Sequence, residues 1–290
     1  MPHQATGATK VGERTLDCVH GMQAAFVDFV SRLCRAESPT DHPVTQSHVH
    51  AILEPAFRDL NYDVRIVRGK KSGNHLLAVP RARSRRRPFQ LLMGHSDTVW
   101  PIGTLDRMPV LIEEGRLCGP GTLDMKGGLA MIIFALRALR DMDMVPTVDP
   151  VVFVNADEEM GSLDSKRHVV RLAKAASRAL VLEPALGPSG LIKTARKGIG
   201  NFEVYLRGKA SHAGLDPEAG ASAILELSHV IQQVDLLNEP NKGTTLNVGI
   251  VKGGTRPNVV AAEATASVDV RVTSRDHGRR IEERMSAIET

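Results

Sequence analysis

Histidine and acidic residues follow the ends of several apolar segments in this sequence. In GHSDTV, His95 and Asp97 stand one residue apart after the apolar run FQLLM. Carboxylates occupy comparable positions at Asp124, in the acidic run 157–159 and at Glu183. In an open α/β sheet, ligands bind outside the carboxyl ends of the strands. We therefore expect these side chains to converge on one crevice.

Each of these residues also has an interpretation that needs no ligand. Asp124 could cap the helix that follows it, and Glu158 and Glu159 could favour the dipole of a helix N-terminus. His95 alone could be a hydrogen-bonded core histidine. Together, however, the carboxylates would repel one another, and no matching set of lysines or arginines stands in these segments. A pair of divalent cations would satisfy them all.

The residue types favour zinc. Imidazole and carboxylate ligands suit Zn²⁺, and a carboxylate bridge suits two ions about 3.5–4 Å apart. Co²⁺ or Mn²⁺ stays open as an alternative, because availability and geometry decide between these metals. Asp97 is placed to orient a metal-bound His95. Of the neighbours Glu158 and Glu159, one can bind metal while the other takes a proton from the attacking water.

Five motifs give the sequence a likeness to a known enzyme family. In chain order they are GHSDTV, GPGTLDMKGG, NADEEMGS, LEP and RGKASHAG. The set resembles the dizinc metallopeptidase family of glutamate carboxypeptidase, acetylornithine deacetylase, succinyl-diaminopimelate desuccinylase and aminoacylase. Among these, it is most similar to the bacterial glutamate carboxypeptidase branch. The segments GGTRPNVV and DVRVTS also resemble the lid domain of that family.

The resemblance implies a role for each residue of the crevice. His95 and Glu183 would bind one zinc, Glu159 would bind the second, Asp124 would bridge the two ions, Glu158 would be the general base and acid, and Asp97 would orient His95. In the lid, His212 resembles a histidine that reaches the active site of a partner subunit. Asn247, Arg271 and Arg256 resemble groups that hold the substrate carboxylate, for which the planar fork of arginine is suited.

The elements that must position these residues form two patterns. Near-continuous apolar strands alternate with amphipathic helices, which predicts an α/β domain with a mostly parallel sheet and flanking helices. From about Ile192 the order strand, helix, strand, strand, helix predicts an inserted α+β, ferredoxin-like lid. We therefore expect a catalytic zinc-binding domain over 1–192 and a lid and dimerisation domain over 193–290. Residues 1–17 are expected to be loose.

Composition narrows the function classes. The hydrophobic and charged contents of 42% and 24% are typical of a soluble globular protein. Much of the net charge of +4 comes from RARSRRR at 81–87, which lacks interleaved aromatic residues. This favours a solvated loop over a nucleic-acid surface. No segment is long and apolar enough to span a membrane, and three scattered cysteines suit a reducing compartment. These features predict a cytoplasmic protein with no nucleic-acid or membrane partner.

The most favoured function is zinc-dependent hydrolysis of an amide or peptide bond next to an amino-acid carboxylate. The substrate would be a small peptide or an N-acyl amino acid, so carboxypeptidase and deacylase activities both stay open. The resemblance implies two zinc ions per subunit and a homodimer formed through the lid. The alternative is a truncated or non-catalytic family member that acts as a binding or dimerisation protein.

The resemblance also implies a segment after the lid that contains the last histidine ligand of the second zinc. The 290-residue sequence ends within the expected second lid helix. After His212 only His229 and His277 remain, one in the expected lid helix and one in the polar turn SRDHGRR, and neither context fits a ligand. Three explanations stay open: a fragment of a longer product, a broken reading frame, and a genuine short form with reduced or no activity.

Overall fold

The chain forms two compact units, Met1–Ala185 and Leu186–Thr290. The structure is a computed structural model that describes residues 7–84, 86–187 and 189–289. Each unit contains its own main sheet. The catalytic and lid domains expected over 1–192 and 193–290 stay predictions at this stage.

The first unit contains a five-stranded sheet in the order β1-β2-β6-β3-β7. The strands of this unit are β1 (Tyr62–Val67), β2 (His75–Pro80), β3 (Phe89–His95), β4 (Leu111–Glu113), β5 (Arg116–Cys118), β6 (Asp149–Asn155) and β7 (Arg178–Val181). Strands β6, β3 and β7 pair in parallel, whereas β2 is antiparallel to both β1 and β6. Only β2 therefore opposes the common direction, and the predicted mostly parallel sheet is confirmed. The short strands β4 and β5 form a separate hairpin.

Helices cover both faces of this sheet. They are α1 (Gly7–Gly21), α2 (Gln23–Arg35), α3 (Gln46–Asp59), α4 (Gly127–Asp141) and α5 (Lys166–Ala175). Neighbouring residues of a strand point to opposite faces. Leu92 accordingly joins the core formed with α2, α3 and α4, whereas Leu91 joins a smaller cluster that packs against Leu172 of α5.

The expectation of a loose N-terminal segment is wrong for the described residues, because Gly7–Gly21 is helical. The three large apolar residues of this helix, Val11, Leu16 and Val19, are all substantially exposed. A helix that buries so little apolar surface lacks the regular stripe by which a sequence indicates a helix.

The second unit is an α+β arrangement. Its elements are β8 (Gly198–Arg207), α6 (Ala223–Asp235), β9 (Thr245–Gly253), β10 (Glu263–Val272) and α7 (Arg275–Ser286). The strands form an antiparallel sheet in the order β8-β10-β9. Val268 and Val270 of β10 point to one face and pack with Val234 of α6 and Ile281 of α7. The predicted order of strand, helix, strand, strand and helix is confirmed.

Gly128 lets α4 begin against the segment that follows β7. A β-carbon at this position would lie 2.0 Å from the carbonyl oxygen of Leu182. Because no real β-carbon approaches backbone so closely, Gly128→Ala must push α4 and the segment after β7 apart. We expect the free energy of unfolding, measured by urea denaturation, to fall by about 2–3 kcal/mol.

Gly12→Ala is the matched control for this prediction. Gly12 lies within α1, and a β-carbon there would meet nothing within 4 Å. Alanine in an unobstructed helix is favoured over glycine by about 0.5–1 kcal/mol, so the control should be neutral or stabilising. Equal losses in the two variants would contradict the close approach at Gly128.

Candidate metal centre

The predicted crevice lies at the carboxyl ends of three adjacent parallel strands. His95 is the last residue of β3, Glu158 follows β6, and Glu183 follows β7. The register places His95 opposite Asn155 at the end of β6. On the other side, the backbone N–H of Leu182 donates to the carbonyl of Met93 at 2.9 Å. Parallel pairing therefore brings residues that are distant in sequence to the same edge.

His95 lies at the centre of the group and is only 1% exposed. Its Nε2 lies 3.0 Å from Asp124 Oδ1, 3.4 Å from Glu183 Oε1 and 4.0 Å from Glu158 Oε2. Its Nδ1 lies 2.9 Å from the backbone carbonyl of Asp97 and 3.4 Å from the Asp97 carboxylate. The carbonyl can only accept, so Nδ1 donates and Nε2 is directed at the carboxylates.

Two sets of side chains have the composition of a metal site. One contains His95, Glu158 and Glu183, and the other contains His95, Asp124 and Glu159. Within each set the possible ligand atoms lie within 4.8 Å of one another. The structure thus brings together five residues expected at the crevice, which are His95, Asp124, Glu158, Glu159 and Glu183. It does not separate a general base from a ligand, since Glu158 is close enough for either role.

Asp97 binds backbone groups of the glutamate turn as well as facing the imidazole of His95. It is fully buried, and its Oδ1 and Oδ2 accept the backbone N–H groups of Glu158 and Glu159, both at 3.2 Å. Its Oδ2 also accepts from Thr40 Oγ1 at 2.8 Å. Burial alone would raise the pKa of Asp97, but His95 and these hydrogen bonds lower it. Asp97 therefore remains ionised and fixes the turn of the two glutamates beside β3.

The electrostatics of the crevice favour a bound cation. Burial opposes protonation of His95, yet Asp97 and Glu183 outweigh burial and raise its pKa to about 11. Burial together with the neighbouring carboxylates raises the pKa of Glu159 to about 7 and also raises that of Glu158, against the attraction of His95. A single imidazolium cannot balance five carboxylates. Divalent cations would balance this charge, and the nitrogen and oxygen donors fit such ions.

Asp124 does not act as the helix cap that one interpretation offered. Helix α4 has no side-chain cap, and the carboxylate of Asp124 faces His95. The next lysine does not neutralise the crevice either. Lys126 is buried, and its Nζ donates to the carbonyl of Ala36 at 2.7 Å. Burial lowers the pKa of Lys126 to about 8.

Asp157, which the sequence grouped with the two glutamates, has a different role. Its Oδ2 accepts the backbone N–H groups of Asp164 at 2.8 Å and of Ser165 at 3.0 Å, just before α5. His75 supports the same turn, because its Nδ1 accepts the N–H of Ala156 at 3.2 Å. His75 had no motif around it, and only its place in β2 beside β6 reveals this contact.

The predicted lid residues fall at the two ends of the β9–β10 hairpin. Asn247 lies opposite Asp269, and Arg271 Nε donates to Asp269 Oδ2 at 2.8 Å near the open end. Arg256 lies in the connection between the strands. His212 pairs with Val259 of that connection, and its Nδ1 accepts from two backbone N–H groups.

The register shows how far apart these ends are. Ala264 lies opposite Gly253 and Arg271 lies opposite Thr245. At about 3.3 Å per residue, the paired segment is roughly 23 Å long. Arg256 and Arg271 of one chain therefore cannot hold the same substrate carboxylate.

Comparisons with known proteins identify relatives that are similar to this chain in sequence. Residues 194–289 match the peptidase dimerisation domain. Carboxypeptidase G2 of Pseudomonas sp. (strain RS-16) is 31% identical over 251 residues, which cover 86% of this chain and 60% of that protein. The chain belongs to the M20 peptidase family. A Peptidase M20 domain-containing protein of Schizosaccharomyces pombe is 33% identical over 193 residues, which cover 65% of this chain and 46% of the relative. The chain thus spans roughly half of the length of these M20 relatives.

Solved M20-type structures share the fold. The M20 family metallo-carboxypeptidase Sso-CP2 of Sulfolobus solfataricus has a TM-score of 0.66 at 16% identity, over 91% of this chain and 75% of that one. Aminopeptidase PepT of Bacillus cereus has a TM-score of 0.67 at 22% identity, over 92% of this chain and 70% of that one. These likenesses confirm the predicted fold class.

The arginine-rich segment of this M20 chain makes local contacts. Arg81 Nε lies 3.0 Å from Asp63 Oδ1, and the guanidinium of Arg83 lies 5.0 Å from the ring centroid of Phe89. Arg87 lies 3.6 Å from Asp149, whereas Arg85 lies outside the described residues. These contacts fit the loop interpretation. In the part of the chain that the structure describes, no helix combines the length and apolarity needed to cross a membrane.

Proposed function

We propose that the chain is the metal-binding and dimerisation part of an M20 hydrolase that cleaves an amide or peptide bond next to an amino-acid carboxylate. The observation that supports this most directly is the set of ligand groups around His95 at the ends of three parallel strands. Zn²⁺ is the proposed metal, with two ions per subunit, and Co²⁺ or Mn²⁺ as substitutes. In this proposal His95, Asp124, Glu159 and Glu183 are the ligands.

A bound divalent cation would supply Lewis acidity to a water molecule and to the substrate carbonyl. Glu158 accepts a proton from the attacking water and returns it to the leaving amine. Burial and the neighbouring carboxylates raise the pKa of Glu158, which makes its carboxylate a stronger base. Asp97 holds the backbone of Glu158 while leaving the carboxylate free to face the water. The products are a carboxylic acid and an amine.

The proposed domains are 1–192 for catalysis and 193–290 for the lid and for homodimer formation. His212 would stabilise the developing oxyanion in the partner subunit. Because Arg256 and Arg271 lie at opposite ends of the hairpin, we propose that they contact substrates of different subunits, with Asn247 acting beside Arg271. The substrate would be a small peptide or an N-acyl amino acid, and the name of the relative carboxypeptidase G2 supports this class. The scattered cysteines favour a cytoplasmic location.

Proton release tests the metal assignment without relying on turnover. The pKa of about 11 means that His95 is protonated at pH 7 without metal, and a cation at Nε2 must displace that proton. Calorimetric titration of the full chain with Zn²⁺ in buffers of different ionisation enthalpy should therefore report release of about one proton or more. The apparent affinity should fall about tenfold per unit decrease in pH while that proton is present.

The control for this titration is His95→Gln, which removes the titrating ligand. It should bind Zn²⁺ more weakly and lose the proton release assigned to His95. Zinc binding by the unsubstituted chain without proton release would contradict the assignment. Unchanged zinc affinity of the variant would contradict it as well.

A binding or dimerisation protein is the second candidate function. The match of residues 194–289 to the dimerisation domain favours it. The two proposals differ in turnover of N-acyl amino acids by the zinc-loaded chain. Hydrolysis supports the first, whereas saturable binding of the same compounds without hydrolysis supports the second.

A further inference from the structure

A cavity of about 300 Å³ lies within the first unit, beside the metal centre. Its lining includes Thr40, Lys70, Lys71, Asp157, Met160 and Leu163. Two of these residues connect it to the centre. Thr40 Oγ1 donates to Asp97 Oδ2 at 2.8 Å, and Asp157 directly precedes the proposed base Glu158. A substrate held at the metal centre could therefore extend one of its ends into this cavity.

The loop with the two lysines is held in place by one carboxylate. Asp164 Oδ2 accepts the backbone N–H groups of Lys70, of Lys71 at 2.9 Å and of Ser72 at 3.3 Å. It also accepts from Ser72 Oγ at 3.1 Å. The N–H of Asp164 in turn donates to Asp157 Oδ2 at 2.8 Å. This network joins the lysine loop to the turn with the two glutamates, so the backbone from which both lysine side chains extend is held next to the metal centre.

The lining of the cavity combines positive charge with apolar surface. Lys70 and Lys71 are exposed, and neither forms an ion pair with another side chain within the described ranges 7–84, 86–187 and 189–289. The carboxylate of Asp164 is already occupied by the loop backbone. Met160 and Leu163 are 60% and 80% exposed, which is high for large apolar side chains. The aspartates of the lining, Asp157 and Asp164, both accept backbone N–H groups, so the two ammonium groups are the charges left to meet an anionic ligand beside the acidic crevice.

We propose that this cavity binds the acyl or peptidyl side of the substrate and selects chains that have an apolar body and a terminal carboxylate. This inference rests on the proposed function, in which the lid residues hold the carboxylate of the amino-acid side. A terminal carboxylate would meet Lys70 and Lys71, and the methylene groups before it would cover Met160 and Leu163. Lysine suits this role, because its ammonium group attracts anions as a point charge without demanding one geometry.

Two probes that differ chiefly at the end of the acyl chain test the proposal. They are the N-glutaryl and N-hexanoyl derivatives of the same amino acid. The ratio of their affinities is measured by calorimetry on the zinc-loaded full chain, and the ratio of their kcat/KM values is measured where turnover occurs. The double variant Lys70→Ala, Lys71→Ala should lower the preference for the glutaryl probe about five- to tenfold. Two exposed charges have effects of this order.

The controls separate a local effect from a general one. Lys174→Ala removes an exposed lysine from α5, outside the cavity, and should leave the ratio unchanged. Lys70→Glu, Lys71→Glu should reverse the preference in favour of the hexanoyl probe. A ratio that stays the same in the double alanine variant, or an equal fall in the Lys174 variant, would overturn the proposal. If both probes bind and neither is hydrolysed, the result supports the binding function over hydrolysis, and the affinity ratio still decides the role of the cavity.

Discussion

Replacing Glu158 by glutamine should lower kcat about a thousandfold and leave the bound metal in place. General base catalysis contributes about 10²–10⁴ to the rate, and the amide of glutamine cannot accept a proton from water. The substitution preserves the side-chain shape, and the Asp97 contact of residue 158 is made by its backbone N–H. The turn should therefore keep its position. The measurements are kcat on the best hydrolysed substrate and the metal content per chain.

Glu159→Gln is the matched control, because Glu159 lies in the same turn and its N–H also donates to Asp97. As a proposed ligand, it should lose affinity for one metal ion, and activity should recover partly at high zinc concentration. Glu158→Gln should show no such recovery. If Glu158→Gln loses metal and Glu159→Gln retains it, the roles of base and ligand must be exchanged. The position of Glu158 Oε2, 4.0 Å from His95 Nε2, makes this a real alternative.

The sequence predicted the parts of the fold in which local pattern and packing agree. Strands β3 and β6 are continuous apolar runs because both of their faces are covered, and each is followed by the acidic residues of the crevice. The sequence did not predict helix α1, because this helix has no regular apolar stripe. The sequence did not predict the β4–β5 hairpin either, because each of its strands has only three residues, too few for a periodic signal. Short or exposed elements are determined by their tertiary context.

The composition of the candidate site was predictable, but its internal geometry was not. A general rule for parallel sheets places ligands at the carboxyl ends of the strands, and His95 and Glu183 follow that rule. Which carboxylate binds which backbone depends on the strand register, and sequence alone does not specify it. The pairing of His95 with Asn155 is what lets Asp97 reach the N–H groups of both glutamates. Similarly, the register of β9 and β10 separates Arg256 from Arg271, although the sequence suggested the same role for both, which is to hold the substrate carboxylate.

Asp97→Asn should weaken metal binding about 10–100-fold, because groups that orient the ligands of a metal contribute effects of this size. The reason is that four hydrogen-bond donors face the Asp97 carboxylate. Its Oδ1 accepts from Glu158 and faces His95 Nδ1, whereas its Oδ2 accepts from Glu159 and Thr40. Whichever way the asparagine amide is turned, its NH₂ group faces a backbone N–H. We therefore expect the glutamate turn to shift and the free energy of unfolding to fall by about 3 kcal/mol.

Thr40→Val provides the control for this prediction. It removes a single hydrogen bond to Asp97 and keeps the shape of the side chain, so the free energy of unfolding should fall by about 1 kcal/mol. Metal affinity, measured by zinc titration, should change far less than in Asp97→Asn. If Asp97→Asn loses stability but keeps its metal affinity, then the glutamate turn is held by other contacts, of which the hydrogen bond from Ala156 to His75 is one. If both quantities fall together, the backbone contacts of Asp97 are what couple the fold of the first unit to its metal centre.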